Sequence, residues 1–185
     1  MDALLSSTLV VTLAEIGDKT QLLTLLLITR FRARSAITLG ILVATLINHG
    51  ISAWIGDWLV GWIPAGWGPW LIGLSFIAVG LWILIPDKDD TDTGSVERWG
   101  PFLATLVLFF LAEIGDKTQI ATVILAAQYQ SIFWVTLGTT AGMLAANLPV
   151  IFAGNWVMQR LPVRAAHLFA CVLFIGFGVW TLVSF

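Results

Sequence analysis

The nine residues LAEIGDKTQ occupy positions 13–21 and recur, letter for letter, at positions 111–119. The two copies are 98 residues apart, and identities at this same offset continue along the chain without an insertion. A run of nine in register with the other identities indicates an internal duplication of nearly the whole chain. Further identical pairs are Gly40 and Gly138, Gly56 and Gly154, Trp58 and Trp156, Pro64 and Pro162, Phe76 and Phe174, Gly80 and Gly178, and Trp82 and Trp180.

The surroundings of both copies are strongly apolar. Hydrophobic residues make up 58% of the 185 residues, and charged residues only 11%, against about 25% in soluble domains. Apolar runs near the length that crosses a bilayer, about 20 residues, lie at 4–28, 36–60, 68–86, 101–126, 132–157 and 166–184. We therefore predict an all-α membrane protein with six transmembrane helices.

The duplication divides the six predicted spans into two groups of three. We predict a first three-helix repeat at 1–86, an acidic cytoplasmic linker at 87–100, and a second three-helix repeat at 101–185. Because three is an odd number, the second repeat must cross the membrane in the opposite direction to the first. Inverted repeats of this kind build many secondary transporters, whose substrate sites lie near the midplane where the repeats meet.

Positive charge predicts the orientation in the membrane. Cytoplasmic loops carry an excess of Lys and Arg, and seven of the nine such residues follow the first, third and fifth spans. We therefore expect a multi-pass protein with both termini outside the cytoplasm. The first span is expected to stay in the membrane, because it lacks the basic start of a signal peptide. The seven residues are Arg30, Arg32, Arg34, Lys88, Arg98, Arg160 and Arg164.

Each motif copy places two carboxylates and one ammonium group about halfway along a predicted span. A charged residue at a helix centre costs about 2.5–3.5 kcal/mol, so six facing lipid would cost on the order of 15–20 kcal/mol. Such residues usually line an ion or proton path. The alternative is that the pairs Glu15–Lys19 and Glu113–Lys117, each four residues apart, only fix helix packing. Duplicating so costly an arrangement for packing alone is hard to justify, so an ion path is favoured.

Helical geometry predicts how the charged groups meet. A continuous helix places Glu15 and Asp18 about 60° apart on one face, and Gly17 either permits close helix approach or marks a local break that frees carbonyls. Where the repeats meet, we expect four carboxylates to converge as metal ligands and proton acceptors: Glu15, Asp18, Glu113 and Asp116. Around them we expect Lys19, Lys117, Gln21 and Gln119, with Thr20 and Thr118 farther round.

These ligands are all oxygen, which suits hard divalent cations such as Ca²⁺, Mg²⁺ and Mn²⁺. Four carboxylates and two ammonium groups leave a net charge of minus two, which one divalent cation or two protons would neutralise. Burial away from water and the repulsion between neighbouring carboxylates both favour proton uptake, so a metal and protons can compete for one site. We predict that Glu15 and Glu113 are the main ligands and also take up protons.

Three further polar residues lie within the predicted spans. Asn48 and His49 belong to the second span and Asn147 to the fifth, and His49 is equivalent to Asn147 at the offset of 98. They either hydrogen-bond between helices, the commoner use of a lone membrane histidine, or support the site. In the second case they would hold the ligands in place or add a nitrogen ligand that favours Mn²⁺.

The residues EIGDKT at 15–20 and 113–118 resemble the signature E-x-G-D-K/R-T/S of the Gdt-type family of cation/proton antiporters. That family includes Golgi calcium and manganese transporters and bacterial MneA manganese exporters. The resemblance covers essentially the whole chain and implies metal contact by both motif copies and proton-coupled export of Mn²⁺ or Ca²⁺. The short chain is similar to the bacterial branch, which implies manganese export across the inner membrane.

We therefore predict a cation:proton antiporter, not an enzyme, that exports Mn²⁺ or Ca²⁺ as the transported ion and needs no resident cofactor. Its expected partners are the divalent cation, protons and the lipid bilayer, with no nucleic acid. A homodimer is compatible with the sequence but is not needed to complete the site. The alternatives are a calcium-specific antiporter, a small-solute exporter of the lysine-exporter type, and a non-transporting membrane subunit. Oxygen ligands alone do not separate Mn²⁺ from Ca²⁺.

Overall fold

The computed structural model describes residues 2–85, 96–154, 156, 159–160 and 162–184. These residues form eight α-helices and one 3₁₀ turn at Val96–Trp99, and they contain no strand. The helices are α1 (Asp2–Glu15), α2 (Lys19–Phe31), α3 (Arg34–Val60), α4 (Gly68–Ile83), α5 (Gly100–Glu113), α6 (Lys117–Tyr129), α7 (Ile132–Ala153) and α8 (Val163–Val183). Most of the predicted linker, residues 87–95, lies outside the described residues.

The helix is interrupted at each motif copy, so the continuous helix on which the angle between Glu15 and Asp18 was based is not present. In the first copy α1 ends at Glu15 and α2 begins at Lys19. Gly17 between them has φ +83°, and Gly115 has φ +76° in the second copy. Only glycine adopts this backbone region without steric cost. Of the two roles considered for Gly17, the local break is therefore present.

The second half of the chain repeats the helix boundaries of the first. Helices α5 and α6 begin and end at the residues equivalent to the ends of α1 and α2, and α7 begins at the equivalent of Arg34. Two non-glycine residues with positive φ, Arg32 and Gln130, are also separated by the offset of 98. The duplication read from the sequence is therefore a duplication of structure.

The two halves pack on each other in a reciprocal way. Helix α1 lies along α7, and α5 lies along α3. A Cβ atom added to Gly138 would lie 2.6 Å from the carbonyl oxygen of Leu4, and one added to Gly40 would lie 2.7 Å from Thr105 Cβ. Small residues thus let these helices approach closely, as in other membrane helix pairs.

Helices α4 and α8 form another large contact between the halves. The rings of Phe76 and Phe174, equivalent residues, meet edge to face with their centroids 6.0 Å apart. A Cβ atom on Gly178 would lie 2.6 Å from the carbonyl oxygen of Gly73, so this contact too depends on small residues.

Helices α3, α7 and α8 are long and apolar enough to cross a membrane, and α4 and α5 are shorter apolar helices. Large apolar side chains are exposed along them, including Trp180 at 70% and Val183 at 79%. Exposed apolar surface on this scale marks contact with lipid or with another protein. Polar side chains, including Glu15 and Glu113, are instead buried between the helices.

Candidate metal centre

The two motif interruptions bring three carboxylates together inside the protein. Glu15 ends α1, Glu113 ends α5, and Asp116 precedes α6. One carboxylate oxygen from each of the three lies within 4.8 Å of the others, and all three side chains are buried. We call Glu15, Glu113 and Asp116 the carboxylate cluster. Asp18, the fourth predicted ligand, is buried as well but is not one of the cluster's members.

A threonine holds one oxygen of each glutamate. The hydroxyl of Thr20 donates to Glu15 Oε2 at 2.5 Å, and the hydroxyl of Thr118 donates to Glu113 Oε2 at 3.0 Å. The prediction that these threonines lie farther round is wrong, because the break in the helix changes the spacing on which it relied. Glu15 Oε1 is buried and has no hydrogen-bond partner within the described part of the chain.

The two lysines of the motif copies make different contacts. Lys19 Nζ lies 3.3 Å from Asp116 Oδ2, so its ammonium group pairs with a carboxylate of the other copy. Lys117 Nζ donates to the carbonyl oxygen of Ile85, after the end of α4, at 2.5 Å. One alternative from the sequence was an ion pair between Lys19 and Glu15 of the same copy. The ion pair between Lys19 and Asp116 instead joins the two halves of the molecule.

The two glutamines stabilise the turns. Gln21 Oε1 accepts a hydrogen bond from the backbone amide of Gly17 at 2.8 Å, and Gln119 Oε1 accepts one from Gly115 at 2.6 Å. Their amide nitrogens reach the other half of the molecule. Gln21 Nε2 donates to the carbonyl of Ala146 at 2.6 Å, and Gln119 Nε2 donates to Asn48. Each glutamine therefore fixes its motif turn against the opposite repeat.

In the second copy the corresponding acceptor is a side chain. Gln119 Nε2 donates to Asn48 Oδ1 at 2.6 Å, and Asn48 is the residue equivalent to Ala146. Asn48 thus supports the second turn, as one of the roles proposed for it requires.

The equivalent residues His49 and Asn147 differ in their partners. Asn147 Oδ1 accepts a hydrogen bond from Thr24 at 2.7 Å, and its Nδ2 donates to the carbonyl of Met143 at 3.1 Å. His49 is fully buried, and its Nε2 lies 3.8 Å from Glu113 Oε2. Sequence reasoning missed Thr24, although a signal was present: Thr122 lies at the same offset of 98.

Comparison with known proteins identifies the family of this chain. The model of the family "Divalent cation/proton antiporter GDT1" matches residues 3–91 and 101–185. A protein of Vibrio cholerae named "Putative manganese exporter" is 48% identical over 163 residues, which cover 88% of this chain and 81% of that protein. A GDT1-like protein of Synechocystis is 25% identical over 208 residues, covering 100% of both chains.

Similarity to another GDT1-like protein is confined to part of the chain. GDT1-like protein 3 of Oryza sativa subsp. japonica is 35% identical over 78 residues, which cover 42% of this chain and 28% of that protein. No solved structure matches the chain. The family match extends over both repeats and includes both motif copies. The chain therefore belongs to the divalent cation/proton antiporter family GDT1 and is an integral membrane transporter, not an enzyme.

Proposed function

We propose that the protein exports Mn²⁺ from the cytoplasm in exchange for protons, with Ca²⁺ as a less favoured ion. The observation that carries this proposal is the carboxylate cluster, to which both motif copies contribute. Carboxylate oxygens suit hard divalent cations. The relative named as a manganese exporter supports Mn²⁺ as the substrate. Family membership and the acidic lining favour a cation over the small solute of the lysine-exporter alternative.

Charge balance supports exchange at a single site. The three carboxylates of the cluster, together with the ammonium group of Lys19 beside Asp116, carry a net charge of minus two when all are ionised. One divalent cation or two protons would neutralise that charge. Glu15 and Glu113 are the residues we expect to exchange metal for protons, because both are buried and each contributes an oxygen to the cluster.

We extend the proposal to the membrane topology. Each motif-bearing span would consist of two short helices, which gives six spans in two inverted repeats. The reciprocal packing of α1 on α7 and α5 on α3 supports this arrangement. The positions of Arg30, Arg32 and Arg34 favour a cytoplasmic α2–α3 junction, with both termini outside the inner membrane of a bacterium. A single cysteine placed at Ser184 in a Cys171→Ser background should react with an impermeant reagent applied to intact cells, and protection of that cysteine would contradict this topology.

Proton flux in liposomes tests the function directly. Purified protein under an imposed pH gradient should move protons when Mn²⁺ is added, and less so with Ca²⁺ or Mg²⁺. Glu15→Gln and Glu113→Gln should each lower the flux by more than about 100-fold, since loss of outer partners of metal ligands already costs 10–100-fold. Asp57→Asn is the matched control, because it neutralises a carboxylate of α3 outside the cluster.

Two results would contradict the proposal. If the folded wild type moves no protons with any divalent cation, the transported substrate is a different one. If the Glu15→Gln, Glu113→Gln double variant keeps nearly all of the flux, exchange takes place elsewhere in the protein.

A further inference from the structure

A buried histidine lies next to the carboxylate cluster without hydrogen-bond partners. His49 is fully buried in α3, and neither of its ring nitrogens has a hydrogen-bond partner among the described residues. Buried polar side chains in native structures are nearly always hydrogen-bonded, and an exception requires an explanation. His49 Nε2 lies 3.8 Å from Glu113 Oε2, which is too far for a hydrogen bond.

Packing between helices does not explain this histidine. At the equivalent position of the other repeat, Asn147 bonds to Thr24 and Met143. The fold therefore can satisfy a polar side chain at this place with neighbours alone. In the half that contains His49, the corresponding partners are absent from the described contacts, and the ring faces Glu113 of the cluster instead.

The chemistry of the ring indicates what the missing partner is. A neutral imidazole offers a nitrogen lone pair, and histidine is the commonest metal ligand among side chains. Ca²⁺ and Mg²⁺ take oxygen ligands, whereas transition metals also accept imidazole nitrogen. Glu113 links the two features, because its carboxylate belongs to the cluster and one of its oxygens also lies 3.8 Å from the ring.

We propose that a ring nitrogen of His49 joins Glu15, Glu113 and Asp116 in binding the transported cation and makes the site prefer Mn²⁺ over Ca²⁺. This inference rests on the proposed function, since it assigns a ligand to the same site. It places a single nitrogen on one side of a pseudo-symmetric oxygen site. Selectivity would then come from the position at which the two repeats differ, His49 against Asn147.

A selectivity measurement provides the first test. In the liposome assay His49→Asn, which introduces the residue of the other repeat, should lower the ratio of Mn²⁺-driven to Ca²⁺-driven proton flux at least about tenfold. Flux with Ca²⁺ should persist. Ser52→Ala serves as the control on α3, because the Ser52 hydroxyl donates to the carbonyl of Asn48 within the same helix, and its ratio should stay at the wild-type value.

A spectroscopic test needs Mn²⁺ binding but no transport, and its first part uses the wild-type protein. Pulsed electron paramagnetic resonance of wild-type protein loaded with Mn²⁺ should show modulation from a directly bound ¹⁴N nucleus, replaced by ¹⁵N after histidine labelling. The sequence contains only one other histidine, His167, so the signal should remain in His167→Gln and vanish in His49→Asn.

The outcomes separate this inference from the proposed function. Two results would overturn the role of His49 and leave the antiporter intact. One is an unchanged ratio of Mn²⁺-driven to Ca²⁺-driven proton flux in His49→Asn while the wild type exchanges normally. The other is bound Mn²⁺ that shows no nitrogen modulation. Failure of the wild type to bind Mn²⁺ or to move protons with any divalent cation would overturn both.

Discussion

The two copies of LAEIGDKTQ have the same nine residues but different surroundings. Lys19 of the first copy pairs with Asp116 of the second copy, and Lys117 of the second copy bonds to the carbonyl of Ile85. The second aspartate is in the carboxylate cluster, and the first, Asp18, is not. Identical local sequence therefore produces the same turn but leaves each copy's role to be decided by what faces it.

The copies also differ in how tightly the turn is enclosed. A Cβ atom added to Gly17 would lie 3.0 Å from Val163 Cβ and closer still to its methyl groups, while one added to Gly115 would meet nothing within 4 Å. Ile114, beside Gly115, is 56% exposed. For the inverted repeats proposed above, this difference has a use: a transporter that alternates between two states must hold its two halves in unequal environments in each state.

The largest effect is expected from a pair of glycine substitutions. Gly115→Ala should destabilise the protein by about 1–3 kcal/mol, the usual cost of a positive φ for a residue with a Cβ atom. Gly17→Ala should cost that amount and, in addition, about 1–3 kcal/mol for overpacking against Val163. The measurement is the unfolding midpoint of both variants in the same detergent.

The contribution of Val163 can be isolated by relieving the contact. Val163→Ala removes the two methyl groups that the new Cβ atom would meet, so combining it with Gly17→Ala should recover the overpacking part of the loss. When Val163→Ala is combined with Gly115→Ala, the two losses of stability should add, because the two sites share no contact. If the two glycine substitutions destabilise the protein equally, the contact with Val163 adds nothing to the cost of Gly17→Ala.

Much of this arrangement could be predicted from the sequence, and the limits are physical. The offset of 98 predicted the matching helix boundaries, and the intramembrane charges predicted a carboxylate site, of whose four predicted ligands three meet. The break at Gly17 was left open, because an apolar run long enough for one span is also long enough for two short helices. Removing the continuous helix changes the angles between residues, which is why Thr20 reaches Glu15 against expectation.

Contacts between the copies were the least predictable part. The pairing of Lys19 with Asp116 joins residues far apart in the chain, and within either copy the closer acids were the obvious partners. Helical periodicity describes one element at a time, so it carries no information on which residues of the other motif copy a lysine meets.

Substitution of the equivalent aspartates, Asp116 and Asp18, tests whether the two motif copies contribute unequally to metal binding. Asp116→Asn removes a cluster carboxylate and leaves the Lys19 ammonium group without this partner. The amide oxygen can still accept the hydrogen bond that Asp116 Oδ1 receives from the backbone amide of Lys117 at 2.6 Å. The start of α6 should therefore be preserved, and the change isolates charge. We expect Mn²⁺ affinity, measured by titration calorimetry at one fixed pH, to fall about 10- to 100-fold.

Asp18→Asn is the matched variant, because it makes the same chemical change at the equivalent position outside the cluster. It should lower the Mn²⁺ affinity less than about threefold, since a nearby charge that does not bind the ion contributes little. The unequal response follows from geometry, since only Asp116 has an oxygen within 4.8 Å of both glutamates. If the two variants lose affinity equally, Asp18 must reach the ion in the state that binds it. The four-carboxylate site expected from the sequence would then describe binding better than the cluster of three.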